Sequence, residues 1–245
     1  MKKHGFTLAE VLITLGIIGV IAALTMPLFV QKTQTVKVGP TLGKAIVTFE
    51  NGTKAMMIRS ESDTLSGTYV CSAGGSACAP TDRILLTDTA DADAKIFWTN
   101  LGDFVSGSMI DAPTNLPENL VTDGAKTGFL NANGVIYSLI TGFPATPLKN
   151  DDMPSKTVIQ EKLVIDINGL KEPNQPGKDQ FYFYLMEDGT LRPYGSSDAQ
   201  NILQGENITD TNSPWQTSCK VGEVPADAKF CAGHVVENNM KVEYK

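Results

Sequence analysis

Histidine is almost absent from the 245 residues, with only His4 near the start and His234 near the end. No Ser-His, Cys-His or metal-His motif can be assembled around them, and no glycine-rich phosphate loop or nucleotide fingerprint occurs. Hydrolase, ATPase and dehydrogenase readings lose their support, and the chain is not expected to be an enzyme. Basic charge is short as well. Lys and Arg number 20 against 27 Asp and Glu, a net charge of −7. An acidic chain repels phosphate backbones, so nucleic acid is not an expected partner. Neighbouring carboxylates such as Asp151 and Asp152 sit in a polar stretch and read as solvated. Apolar residues make up 42% and charged ones 19%, which suits a folded chain rather than a disordered one. The length accommodates one membrane anchor plus one globular domain.

Cysteine is scarce too: four residues, in two close pairs, Cys71/Cys78 and Cys219/Cys231. Their spacings match no common zinc finger. An even number in an exported chain predicts two short-loop disulfides in an oxidising compartment, although four cysteines allow three pairings.

Charge is missing altogether from Val11 to Gln31. As a helix that stretch is about 31 Å long, the thickness of a bilayer's hydrocarbon core. Lys2 and Lys3 precede it, which keeps the N-terminus cytoplasmic and sends the rest of the chain outward. A cleaved secretory signal is the competing reading. Its apolar core is shorter, it ends in a small-residue site, and it has no place for a glutamate where Glu10 stands. A carboxylate at the mouth of a membrane segment is costly, and it calls for a partner.

The residues Lys2-Lys3-His4-Gly5-Phe6-Thr7-Leu8-Ala9-Glu10 closely resemble the class III signal of type IV pilins and type II secretion pseudopilins. The likeness is good over the first thirty or so residues and loose beyond them. It implies a prepilin peptidase that cuts between Gly5 and Phe6 on the cytoplasmic side and N-methylates Phe6. Glu10 then falls at the fifth position of the mature chain. Glycine lets the scissile backbone enter a protease cleft in extended form. The new amine of Phe6 in one subunit can pair with Glu10 of a neighbour once both leave water. Such a contact is head to tail, so its repetition gives an open filament rather than a ring. The implied partners are the peptidase, other pilin or pseudopilin subunits, an inner-membrane assembly platform and the membrane itself. The implied location is the inner (cytoplasmic) membrane as a single-pass protein, then a periplasmic or cell-surface filament. An adhesin or binding protein that uses the pilin stem as a stalk is the alternative.

The expected domains are a leader at 1–5, a transmembrane and assembly helix at 6–32, and a periplasmic or extracellular globular domain at 33–245. Pro27 is expected to kink the helix, and Gly39-Pro40 to break or bend its continuation. Leu42, Ala45, Ile46, Phe49 and Met56 recur at helical spacing up to about Ser60. Residues 94–106 fit a short helix. Thr127–Leu130 and Val135–Thr141 read as a hairpin with a primed turn at Asn133-Gly134. Lys162–Ile167, Phe181–Leu185 and Thr190–Pro193 read as further strands, the last two joined at Asp188-Gly189. The expected fold is α+β and pilin-like: a long N-terminal helix, transmembrane in its first half, packed on an antiparallel β-sheet of four or more strands. Trp215, Phe230 and Tyr244 are expected to pack the C-terminal region onto it.

Between two of those strands, residues 166–179 alternate oxygen-bearing side chains around Gly169. Hard-cation loops do this, but Gly177 stands where an EF-hand has its bidentate glutamate. Asx turns, with Asp and Asn capping their own backbone, account for the same pattern and are the plainer reading. Major pseudopilins often bind calcium in a loop near the sheet, so the resemblance implies calcium as the alternative, with Asp166, Asn168 and Asp179 as candidate ligands.

Overall fold

The computed structural model describes residues 7–65, 91–112, 115–140, 158–186, 188–197, 219 and 228–241. The chain divides into two compact units, Met1–Lys37 and Val38–Lys245.

Helix α1 spans Leu8–Arg59. Within the first unit, its stretch Leu8–Met26, 19 residues, is long and apolar enough to cross a membrane. Its large side chains are exposed, among them Leu12, Ile18 and Leu24, as lipid-facing residues must be. Pro27 and the Gly39-Pro40 pair both lie inside α1, so of the break or bend expected at Gly39-Pro40 the break does not occur. Proline forgoes one helical hydrogen bond, and the neighbouring turns carry the helix across it.

In the second unit α1 buries one stripe: Leu42, Ala45, Phe49 and Met56, separated by whole helical turns. The next elements are α2 (Asp91–Gly102), β1 (Gly107–Asp111), α3 (Glu118–Thr122), β2 (Ala125–Asn131) and β3 (Ile136–Ile140). Strands β4 (Val158–Asp166), β5 (Gln180–Met186) and β6 (Leu191–Pro193) follow, then a 3₁₀ turn (Ala228–Phe230) and α4 (Cys231–Glu237). The six strands form one antiparallel meander in chain order, β1 to β6. The α+β, pilin-like expectation holds.

Both faces of this sheet are covered. Tyr137, Leu139, Leu163, Ile165, Phe181 and Phe183 face the core shared with α1 and α2. Ile136, Ile140, Val164 and Tyr182 face a second cluster built with Leu116 and Leu120 of the α3 region. Strands buried on both sides read as near-continuous apolar runs, hence Phe181-Tyr-Phe-Tyr-Leu-Met186. On the α1 side, the Phe49 and Tyr137 rings lie 5.3 Å apart, and the Tyr137 hydroxyl donates to the Ala45 carbonyl at 2.9 Å. Burial raises the Tyr137 pKa, keeping it a donor. Trp98 of α2 satisfies its indole N–H on Thr127 at 3.1 Å. Helix α1 also holds the β5–β6 turn: Thr53 donates to the Gly189 carbonyl at 2.8 Å, and Glu50 accepts from Leu191 N–H at 2.9 Å.

The β2–β3 turn differs from the primed type expected for it. At β2–β3, Gly134 N–H donates to the Asn131 carbonyl and Asn131 N–H to that of Val135. Gly134, at φ +82°, is the turn residue with positive φ. A type I′ turn needs positive φ at two residues; here Asn131 Oδ1 takes the N–H groups of Asn133 and Val135 and closes a longer loop. At β5–β6, Gly189 (φ +75°) donates its N–H to the Met186 carbonyl and Met186 N–H donates to that of Thr190, while Asp188 Oδ1 takes the Thr190 N–H.

Candidate functional site

Two places carry chemistry, one in each unit. In the first, Thr7 caps α1. Thr7 N–H and Oγ1–H both donate to Glu10 Oε2 at 2.8 Å, and Glu10 N–H donates back to Thr7 Oγ1 at 3.3 Å. This is a reciprocal capping box, in which the side chains at the N-cap and three residues on satisfy each other's backbone donors. Glu10 therefore has a partner in its own chain. The sequence signal was there to read as Thr7-x-x-Glu10 ahead of an apolar run. Gly5 and Phe6, where cleavage and methylation are expected, lie outside the described residues.

In the second unit, the segment from Asp166 to Asp179 links β4 to β5 and folds around its two aspartates, both buried. Asp179 accepts from Asn174 N–H at 2.7 Å, Gln175 N–H at 2.6 Å and the Asn168 carboxamide at 3.0 Å. Asp166 accepts from Asn168 N–H at 3.2 Å and from Gln180 Nε2 at 3.0 Å. Gln180 in turn exchanges two hydrogen bonds with Asn119 of α3. The Asx-turn reading is thus present in hydrogen bonds: backbone donors end on carboxylates a few residues away.

Burial raises the Asp166 pKa to about 7; the bond from Gln180 opposes the shift, and the charge of Asp179 adds to it. Asn168 Oδ1 is buried and has no hydrogen-bond partner among the described residues. The Asn174 carboxamide stands 3.2 Å from Asp166 Oδ2, 3.0 Å from the Gly169 carbonyl and 3.3 Å from the Lys171 carbonyl. One carboxamide among three acceptors has two solutions. With its NH₂ turned inward it donates to them; with its oxygen inward it completes a cluster of four oxygens that needs a cation. Sequence reasoning passed over Asn174 and Gln180, whose partners are set by the folded loop and by α3.

Of the cysteines, Cys219 and Cys231 form a disulfide with Cα atoms 5.5 Å apart, and both are buried. Cys71 and Cys78 lie outside the described residues, as do Trp215 and Tyr244. Phe230 stacks on Tyr194 at 4.7 Å, the packing role expected for it. Lys229 pairs with Asp123 at 2.8 Å, and the Tyr182 hydroxyl donates to the same carboxylate at 2.9 Å. His234 is buried in α4. Among the described residues no three of His, Cys, Asp and Glu come together as a metal-binding set.

Residues 1–26 match the family model of the prokaryotic N-terminal methylation motif, the signal of type IV pilins and pseudopilins. The match covers the first unit's signal and span and stops short of the domain behind them. No curated protein and no solved structure matches the chain. The motif implies processing by a prepilin peptidase and assembly with other pilins, and with the apolar helix it fits a membrane-anchored protein with a structural role.

Proposed function

We propose that this chain is a structural subunit of a type IV pilus or type II secretion pseudopilus, cut after Gly5 and polymerised through its N-terminal helix. The methylation motif over residues 1–26 carries this reading. It joins a basic head, the Gly5-Phe6 junction, Glu10 and an apolar span in one register. Cleavage exposes the Phe6 amine, which methylation leaves cationic. Glu10 of an incoming subunit neutralises that amine on a subunit already in place. The capping box supports this arrangement, because Glu10 is held by Thr7 at the helix start, where a neighbour's amine must approach. Co-expression with a prepilin peptidase tests the reading. Mass spectrometry is expected to find an N-terminal peptide that begins at Phe6 and carries one extra methyl group. A mature chain that still begins at Met1 would overturn it.

The loop of the second unit binds calcium. Around Asn174, three oxygens lie at 3.0–3.3 Å from the carboxamide, about the spacing of neighbouring ligands around a cation bound at 2.3–2.6 Å, and the carboxamide oxygen makes the fourth. Asp166, the Asn174 side chain and the Gly169 and Lys171 carbonyls hold the ion. Asp179 adds the second negative charge while keeping its backbone donors, and Asn168 Oδ1 is a buried oxygen in want of a positive partner. Carbonyl, amide and carboxylate oxygens suit calcium and not zinc. Bound calcium supplies charge that offsets two buried carboxylates. Calorimetric titration of the full chain in detergent is expected to give a saturable heat with calcium and a weaker one with magnesium. Absence of heat with calcium would remove this part of the proposal.

A further inference from the structure

The calcium loop does not end in solvent. Gly177, three residues after Asn174, lies against the start of α4: a Cβ built on it would stand 3.2 Å from Cys231 Sγ, Cys231 Cβ and the Ala228 carbonyl. Gly177 also donates its N–H to the Gln180 carbonyl at 2.9 Å. The backbone that holds Asn174 and Gln175 on Asp179 therefore continues directly into the wall behind the Cys219–Cys231 disulfide. Cys231 opens α4, and Gly233 in that helix donates to the Tyr194 carbonyl at 3.0 Å, so the disulfide's helix is fastened to the β6 side of the sheet.

We infer that the loop and the disulfide act as one clamp, in which calcium occupancy and disulfide formation favour each other; this rests on the calcium reading above. The physical reason is shared backbone. Calcium fixes residues 166–174, which fixes the position of Gly177. That position sets the surface on which Cys231 packs when it is bonded to Cys219. Breaking the disulfide frees Cys231 and Ala228 to move away from Gly177, and the loop loses its wall. Linkage is reciprocal: whatever factor reduction takes from calcium affinity, calcium returns as bias toward the disulfide. In the reduction step, a dithiol gives two electrons and two protons to the S–S bond. Cys219 and Cys231 become thiols, and the dithiol closes to its own cyclic disulfide.

The test uses the full chain in detergent. Calcium affinity is measured by calorimetry on the oxidised chain and on the chain reduced with dithiothreitol, with circular dichroism following the fold. A loss of affinity of about five-fold or more on reduction is expected, the lower end of ordinary coupling between sites. A second measurement serves if the reduced chain unfolds. The oxidised chain is held at a fixed ratio of reduced to oxidised dithiothreitol, and the Cys219–Cys231 fraction is read by differential alkylation and peptide mass. Saturating calcium is expected to raise the ratio of disulfide to dithiol by the same factor, and Asp166→Asn to abolish the effect. Calcium binding that is equally tight before and after reduction, or a disulfide fraction indifferent to calcium, overturns the coupling. No calcium binding to the oxidised chain overturns the calcium reading itself, and the coupling with it.

Discussion

Asp179→Ala separates an aspartate that builds its loop from one that merely decorates the surface. The substitution leaves three donors without their acceptor: the N–H groups of Asn174 and Gln175 and the Asn168 carboxamide. A buried donor left unsatisfied costs about 1–3 kcal/mol. Gln175 is exposed and Asn168 and Asn174 are half-buried, so water recovers part of that. Removal of the Asp179 charge also relieves Asp166, a further offset. The net loss is then about 3 kcal/mol, the low end of the sum for three donors, against a total stability of about 5–15 kcal/mol for an ordinary domain. At roughly 2–4 °C per kcal/mol for a domain of this size, the midpoint falls by about 6–12 °C. The assay is thermal unfolding of the full chain in detergent with a chelator present, so that calcium contributes nothing. Asp103→Ala is the control. Asp103 pairs with Arg59 at the surface, its side chain 57% exposed, and such pairs are worth about 0–1 kcal/mol. If Asp179→Ala moved the midpoint no more than Asp103→Ala, the loop's hydrogen bonds would not be holding it together.

Other outcomes follow from the same structure. Tyr137→Phe removes the hydroxyl that bonds the Ala45 carbonyl and is expected to lower stability by about 1 kcal/mol; denaturant unfolding checks it, and an unchanged midpoint would mean that this bond between α1 and the sheet contributes nothing. Gly5→Val is expected to block processing, leaving a slower band on a gel, and normal cleavage would remove the Gly5-Phe6 assignment. Glu10→Ala is expected to be cleaved normally yet to enter filaments poorly, as read by sheared-filament immunoblots; normal assembly would count against the pairing with Phe6. Thr7→Val, which keeps the shape but loses the capping hydroxyl, is expected to shift assembly in the same direction as Glu10→Ala and by less, while Thr7→Ser retains it. Equal assembly of Thr7→Val and the parent would show that the capping box has no part in the process.

Much of the second unit was legible because its elements are long and periodic. The stripe Leu42, Ala45, Phe49, Met56 announces a helix with one buried face, and the aromatic run at 181–185 announces a strand. The elements that escaped are short or lack a pattern. Strand β1 has only five residues, mostly exposed, and helix α3 is little more than one turn. The dipeptide Asn133-Gly134 predicts a primed turn, because it supplies the two residues that tolerate positive φ. Here Asn131, two residues earlier, closes the loop with its own side chain, and only one residue needs positive φ.

By itself the sequence determined the signal in the first unit: a long uncharged apolar stretch follows a basic head, and Gly5, Phe6 and Glu10 stand at fixed offsets that survive whatever the rest of the chain does. Those are local relations, and local relations can be read in one dimension. The tertiary structure decided what the second unit's polar residues do. Asn119 and Gln180 are 61 residues apart, and Gly177 reaches Cys231 only because β4, β5 and α4 bring them together. Which oxygens face one another in the 166–179 loop depends on that packing, since burial determines which carboxylates keep their water and which must find a partner.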